Sequence, residues 1–169
     1  MEGRLAGALL LFGSTLLVFA GILFGVGADQ STSLQRWQSN ALSTGLVVTL
    51  LGIAVFEFKL RDAGERVLAR LGTISFLVGT TLWIAGDAIA LSGASFVFEF
   101  ERDYVVLACV TVAALGAAIV RTRILPGGLG WMAIAWGISW ASLYLTRVVE
   151  APLGPNVMTF LFGLLLVRR

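Results

Sequence analysis

Residues 71–91 read LGTISFLVGTTLWIAGDAIAL, an apolar run with Asp87 as its single charged side chain. A hydrocarbon core of about 30 Å takes about 20 helical residues at a rise of about 1.5 Å each, and this run supplies that length. Gly72, Gly79, Gly86 and Gly93 recur at a constant spacing of seven, with Thr73, Thr80 and Asp87 beside them at the same spacing. Seven residues return to nearly the same face of a helix. One face is therefore small and polar. In lipid no hydrophobic force presses helices together, and small residues let backbones meet instead. The reading is a transmembrane helix whose glycine ridge faces protein.

The rest of the chain agrees. Of 169 residues, 58% are hydrophobic and 13% charged, with a mean hydropathy of +0.93. Average soluble domains carry roughly 25% charge, so the composition excludes an ordinary soluble enzyme and a disordered chain. Six apolar runs stand out, at residues 5–26, 41–58, 71–91, 104–120, 129–145 and 153–167. They do not alternate as barrel strands would, and backbone in lipid must satisfy its own hydrogen bonds. The expectation is all-α: one polytopic transmembrane domain over residues 1–169, a bundle of six helices. The sixth run is short and calls for local thinning or snorkelling by Arg168 and Arg169. The start of the chain also has features of a cleavable signal, ending at Val26-Gly27-Ala28. Its apolar run is long for that role, and an uncleaved first span is expected.

Basic residues fix the orientation. Arg4, Lys59, Arg61, Arg66, Arg70, Arg121, Arg123, Arg168 and Arg169 fall on one side of this topology, and only Arg36, Arg102 and Arg147 on the other. The positive-inside rule then puts both termini in the cytoplasm. The cations sit in short turns, so the basic pI of about 9.2 reflects orientation in a bilayer and not nucleic-acid binding.

Local signals mark the breaks. Ser39 and Asn40 are candidate caps for the second helix. Asp62 with Glu65 resembles a capping box opening the third, with Gly64 in the turn. Pro126-Gly127-Gly128 reads as a turn, and Asn156 as a cap after Pro152 and Pro155. Phe96 to Glu101 alternates apolar and acidic residues and reads as an interfacial hairpin or extended segment. Glu57 with Arg61, and Asp62 with Arg66, have helical ion-pair spacing. Further small-residue seams are Gly7, Ser14 and Gly21; Gly45 and Gly52; and Ala133, Gly137 and Ala141.

Catalytic chemistry is sparse. There is no histidine, one cysteine (Cys109) and one lysine (Lys59). His-based triads, disulfides, Cys/His metal sites and a Schiff-base lysine within a span are excluded. No cofactor, no metal and no enzyme activity are expected. Asp87 is the most informative side chain, since a carboxylate inside a span is costly. It reads as a salt bridge to Arg147 or Arg102, or as an ion or proton site with Thr80 and Thr73 lining a path. Trp136, Trp140 and Tyr144 form an aromatic stripe. It reads as helix packing with a backbone carbonyl or Ser139 near the indoles, or as a wall for a lipid, quinone, carotenoid or other flat apolar ligand.

The stretch Arg121-Thr-Arg-Ile-Leu-Pro126-Gly-Gly-Leu-Gly-Trp131 resembles a pattern in bacterial polytopic inner-membrane proteins of a domain-of-unknown-function type, over roughly spans four to six. The resemblance implies a bacterial inner membrane and six or seven spans, and it brings no activity with it. Three functional classes follow. The first is a non-enzymatic accessory or scaffold subunit, or a homo-oligomer. The second is a small transporter or ion-coupled carrier using Asp87. The third is a lipid or apolar-ligand binder using the aromatic stripe. The partners are membrane lipids and a protein neighbour or second copy.

Overall fold

The structure, a computed structural model, describes residues 2–25, 32–91, 97–148 and 153–168. It is all-helical among these residues, with α1 (Glu2–Gly25), α2 (Thr32–Asp62), α3 (Val67–Leu91), α4 (Val97–Thr122), α5 (Gly127–Leu145) and α6 (Asn156–Val167). Four of them contain stretches long and apolar enough to cross a membrane: Glu2–Leu23, Leu34–Asp62, Val67–Ile89 and Phe100–Thr122. The outward surface carries Phe12, Val18, Phe19 and Ile22 of α1, Val47 and Leu51 of α2, Ile74, Leu77 and Val78 of α3, and Ile138 of α5. An apolar exterior this extensive suits acyl chains, not water. The protein is a membrane helix bundle.

The helices form two groups. α1 lies between α6 and α2, and α4 lies between α3 and α5; α2 and α3 join the groups, and α4 touches α2 and α6. The start of α1 and the end of α6 are side by side, because Gly7 abuts Gly163 and Val167. Lys59 at the end of α2 reaches Gly3, and Arg121 at the end of α4 pairs with Glu65 in the α2–α3 turn. These residues therefore share one end of the bundle, called the basic end below.

Small residues set the spacing. An added Cβ on Gly72 would meet Leu115 at 3.0 Å, one on Gly79 would meet Leu107 at 3.2 Å, and one on Gly86 would meet Phe100 at 2.9 Å. The ridge of α3 thus faces α4, as its period requires; Gly93 lies outside the described residues. Gly7 and Ser14 of α1 face α6, while Gly45 and Gly52 of α2 face α1. Between α4 and α5, a Cβ on Gly116 would come within 2.6 Å of the Gly130 carbonyl, and one on Gly137 within 2.7 Å of the Cys109 carbonyl.

Several expected boundaries move. α2 begins at Thr32, so Ser39 and Asn40 lie inside it and cap nothing. α4 begins at Val97, so residues 97–101 are helical and not extended; Phe96 lies outside the described residues. Phe100, Tyr104 and Leu107 are spaced for one helix face and meet the α3 ridge. That packing prevails over a short alternation. Asp62 ends α2, and Glu65 alone caps α3 by accepting the Leu68 N–H at 3.0 Å. The chain leaves the helix through Gly64 (φ +97°), which breaks the register an Asp62–Arg66 pair would need. The Glu57–Arg61 pair is present at 3.9 Å. At α6 the capping position is Pro155 and Asn156 is the first helical residue.

α6 has 12 residues, about 18 Å of helix. It starts three residues later than the apolar run that begins at Leu153. Leu153, Gly154 and Pro155 form a turn beside Trp136, the midpoint of α5. Non-helical backbone packed inside an apolar bundle needs partners for its polar groups.

Candidate functional site

Two indoles pack against the turn before α6. Trp136 Nε1 donates to the Gly154 carbonyl at 3.1 Å, and Trp140 stacks on Trp136 with centroids 5.1 Å apart and planes 20° apart. Gly154 lies against the Trp140 ring so closely that a Cβ there would enter it. The aromatic stripe is therefore packed on a backbone turn, with a carbonyl as the indole acceptor. Tyr144, one turn above, donates its hydroxyl to Glu101 Oε1 at 2.8 Å, joining α5 to α4.

Directly below the turn a line of buried polar groups crosses three helices. Thr159 of α6 donates to the Asn156 carbonyl at 2.7 Å, and Ser14 of α1 lies 3.0 Å from Thr159 Oγ1. A hydroxyl carries one proton, so Ser14 is the donor to Thr159. Asn156 Nδ2 then donates to the Tyr104 hydroxyl of α4 at 2.9 Å. All four residues are buried. Tyr104 is framed edge-on by Phe76 and Trp83 of α3, at centroid distances of 6.4 and 4.9 Å. Asn156 Oδ1 has no partner. The sequence pattern puts Ser14 in a seam and Asn156 at a cap. It has no signal for their connection, because the residues come from distant parts of the chain.

Asp87 is half-buried near the C-terminal end of α3, and Ser39 of α2 donates its hydroxyl to Asp87 Oδ2. The expected salt bridges are not made. Arg102 pairs with its neighbour Asp103 at 3.8 Å, and Arg147 is exposed in the turn after α5 with φ 58°. The residue that helix capping had claimed, Ser39, is the one that answers the acid. Thr80 lies two turns below Asp87 on the same face, buried, with its hydroxyl unpartnered. Thr73 donates back to the Ala69 carbonyl at 3.2 Å.

Cys109 is buried in the α4–α5 seam. Among the described residues no group of three or more His, Cys, Asp or Glu is placed to hold a metal. At the basic end, Glu65 is buried and accepts from both Leu68 N–H and Arg121 Nη1, each bond near 3 Å. The Leu68 amide first, and Arg121 second, hold its carboxyl below the usual range.

No family model, curated protein or solved structure matches the chain.

Proposed function

We propose that the protein crosses the plasma membrane six times, with both termini in the cytoplasm, as a non-enzymatic accessory or scaffold component that assembles with a protein partner or with its own copies. The carrying observation is backbone contact along the seams, chiefly Gly116 on Gly130 and Gly137 on Cys109. Helices this close suit a rigid part, not one that opens around a substrate. The crowding of cations at the end shared by both termini supports the orientation. The turn before α6, packed on Trp136 and Trp140, supports six crossings, since it lets a short helix complete the bundle. A bacterial inner membrane is the setting implied by the motif at Arg121 to Trp131.

Purification of the full chain in mild detergent, followed by native mass spectrometry, tests the assignment. A stoichiometric protein partner or a defined oligomer is expected. A lone monomer that supports solute flux in liposomes would overturn it. The second reading, an ion-coupled carrier, is favoured by the acid at Asp87 with the unpartnered Thr80 hydroxyl on the same face. It requires that Asp87→Asn abolish flux while leaving the protein folded.

A further inference from the structure

At the basic end, the α4–α5 turn forms an open pocket of about 450 Å³ lined by Val120, Arg123, Leu125, Pro126, Gly127 and Trp131. We propose that this pocket binds the phosphate headgroup of an anionic membrane lipid. Its lining combines what such a ligand presents. Val120, Leu125 and the Trp131 indole offer apolar surface, and Trp131 is 64% exposed, where an interfacial tryptophan meets the headgroup layer. Arg123 offers a guanidinium, which suits phosphate oxygens geometrically as well as electrostatically.

The two arginines of this turn differ in availability. Arg121 is tied to Glu65 at 2.9 Å. Among the described residues no carboxylate lies within ion-pair distance of Arg123. Its backbone is in the left-handed region at φ 54°, which turns the chain toward α5. No side chain caps the start of α5, and open space lies beside Gly127 and Gly128. The helix end adds positive potential to the pocket wall. Basic pockets at the cytoplasmic ends of spans attract anionic lipids, and most of the chain's cations lie at this end. The site is distinct from the Trp136–Trp140 stack.

The inference rests on the membrane placement proposed above, and the test separates the two. The full chain, in detergent with equal amounts of phosphatidylglycerol and phosphatidylcholine, is examined by native mass spectrometry for retained lipid. Wild type is expected to retain phosphatidylglycerol preferentially. Arg123→Asn, a residue that tolerates the left-handed backbone, should lower that preference about tenfold or more, the scale of a charge-assisted hydrogen bond to phosphate. Gly128→Glu should lower it too, by placing a carboxylate in the open space. Arg66→Gln, at the same end but outside the pocket, should leave it unchanged. The proposal is overturned if Arg123→Asn and Gly128→Glu both keep the wild-type preference, or if Arg66→Gln weakens it as much. Displacement of the lipid by inorganic phosphate at matched ionic strength would make this a free-phosphate site, which also overturns it. Alkaline extraction of the source membranes reports separately on placement: release of the chain into the soluble fraction contradicts the membrane reading itself.

Discussion

Trp136 and Gly154 are joined by an indole-to-carbonyl hydrogen bond of 3.1 Å at the midpoint of α5. This bond lets the chain enter the bundle as a turn and start α6 late. Trp136→Phe keeps most of the ring but removes the indole donor to the Gly154 carbonyl. It should cost about 1 kcal/mol, the usual scale of a hydrogen bond between membrane helices. Gly154→Ala pushes a methyl group into the Trp140 ring and should cost about 1–3 kcal/mol by overpacking. Reversible unfolding in mixed micelles measures both. Equal stability of Gly154→Ala and wild type would mean that the turn is not seated on Trp140.

The seams predict opposite outcomes for two glycines of the same helix. Gly137→Ala places a Cβ within 2.7 Å of the Cys109 carbonyl; α4 and α5 must separate, at a cost of about 1–3 kcal/mol. Gly128→Ala meets nothing within 4 Å and should be neutral or stabilising by up to about 1 kcal/mol, through helix propensity. Thermal denaturation of the two variants in the same detergent decides. A loss at Gly128 equal to that at Gly137 would show that contact at the α4–α5 seam does not set the cost of a methyl group on α5.

What the sequence discloses is what repeats along one helix. The heptad of Gly72, Gly79 and Gly86 lies on a single element, so its face and its need for a neighbour can be read without a partner. The same holds for Gly7 with Ser14 and for Glu57 with Arg61. Contacts between distant residues leave no periodic trace. Ser14 with Thr159, Asn156 with Tyr104 and Ser39 with Asp87 each depend on how the helices are ordered around the bundle. Capping rules misplaced Ser39 because a serine near an apolar run fits a cap and a cross-helix donor equally well. Phe100 and Glu101 misled because a few alternating residues satisfy both a strand period and the start of a helix. The break before α6 was legible from Pro155, but its depth was not, since depth is set by where Trp136 stands on another helix.

The line Ser14–Thr159–Asn156–Tyr104 should behave as a coupled unit. Tyr104→Phe removes the acceptor of Asn156 Nδ2, and Asn156→Ala removes the donor. Each single change leaves a buried polar group or a cavity behind, so the double variant should be less destabilised than the sum of the two. A coupling of about 0.6 kcal/mol, and at most about 1.7, is the expected range for polar contacts between membrane helices. Additive losses in a double-mutant cycle would mean that the 2.9 Å contact contributes nothing to stability.

The Glu65 cap makes the basic end sensitive to acid. Its carboxyl is held below the ordinary range, first by the Leu68 amide and then by Arg121. A lowered folded-state value means that the unfolded chain takes up the proton more readily. The stabilisation is therefore present above the unfolded value of about 4.3 and is lost as pH falls through the lower folded value. Wild type should lose stability relative to Glu65→Gln below about pH 4, while at pH 7 the variant is the weaker by about 1 kcal/mol, the scale of a lost helix cap. Arg121→Ala should keep part of the pH dependence, because the Leu68 amide remains. Melting midpoints from pH 7 to pH 3 for the three proteins test this, and parallel curves for wild type and Glu65→Gln would remove Glu65 from the account.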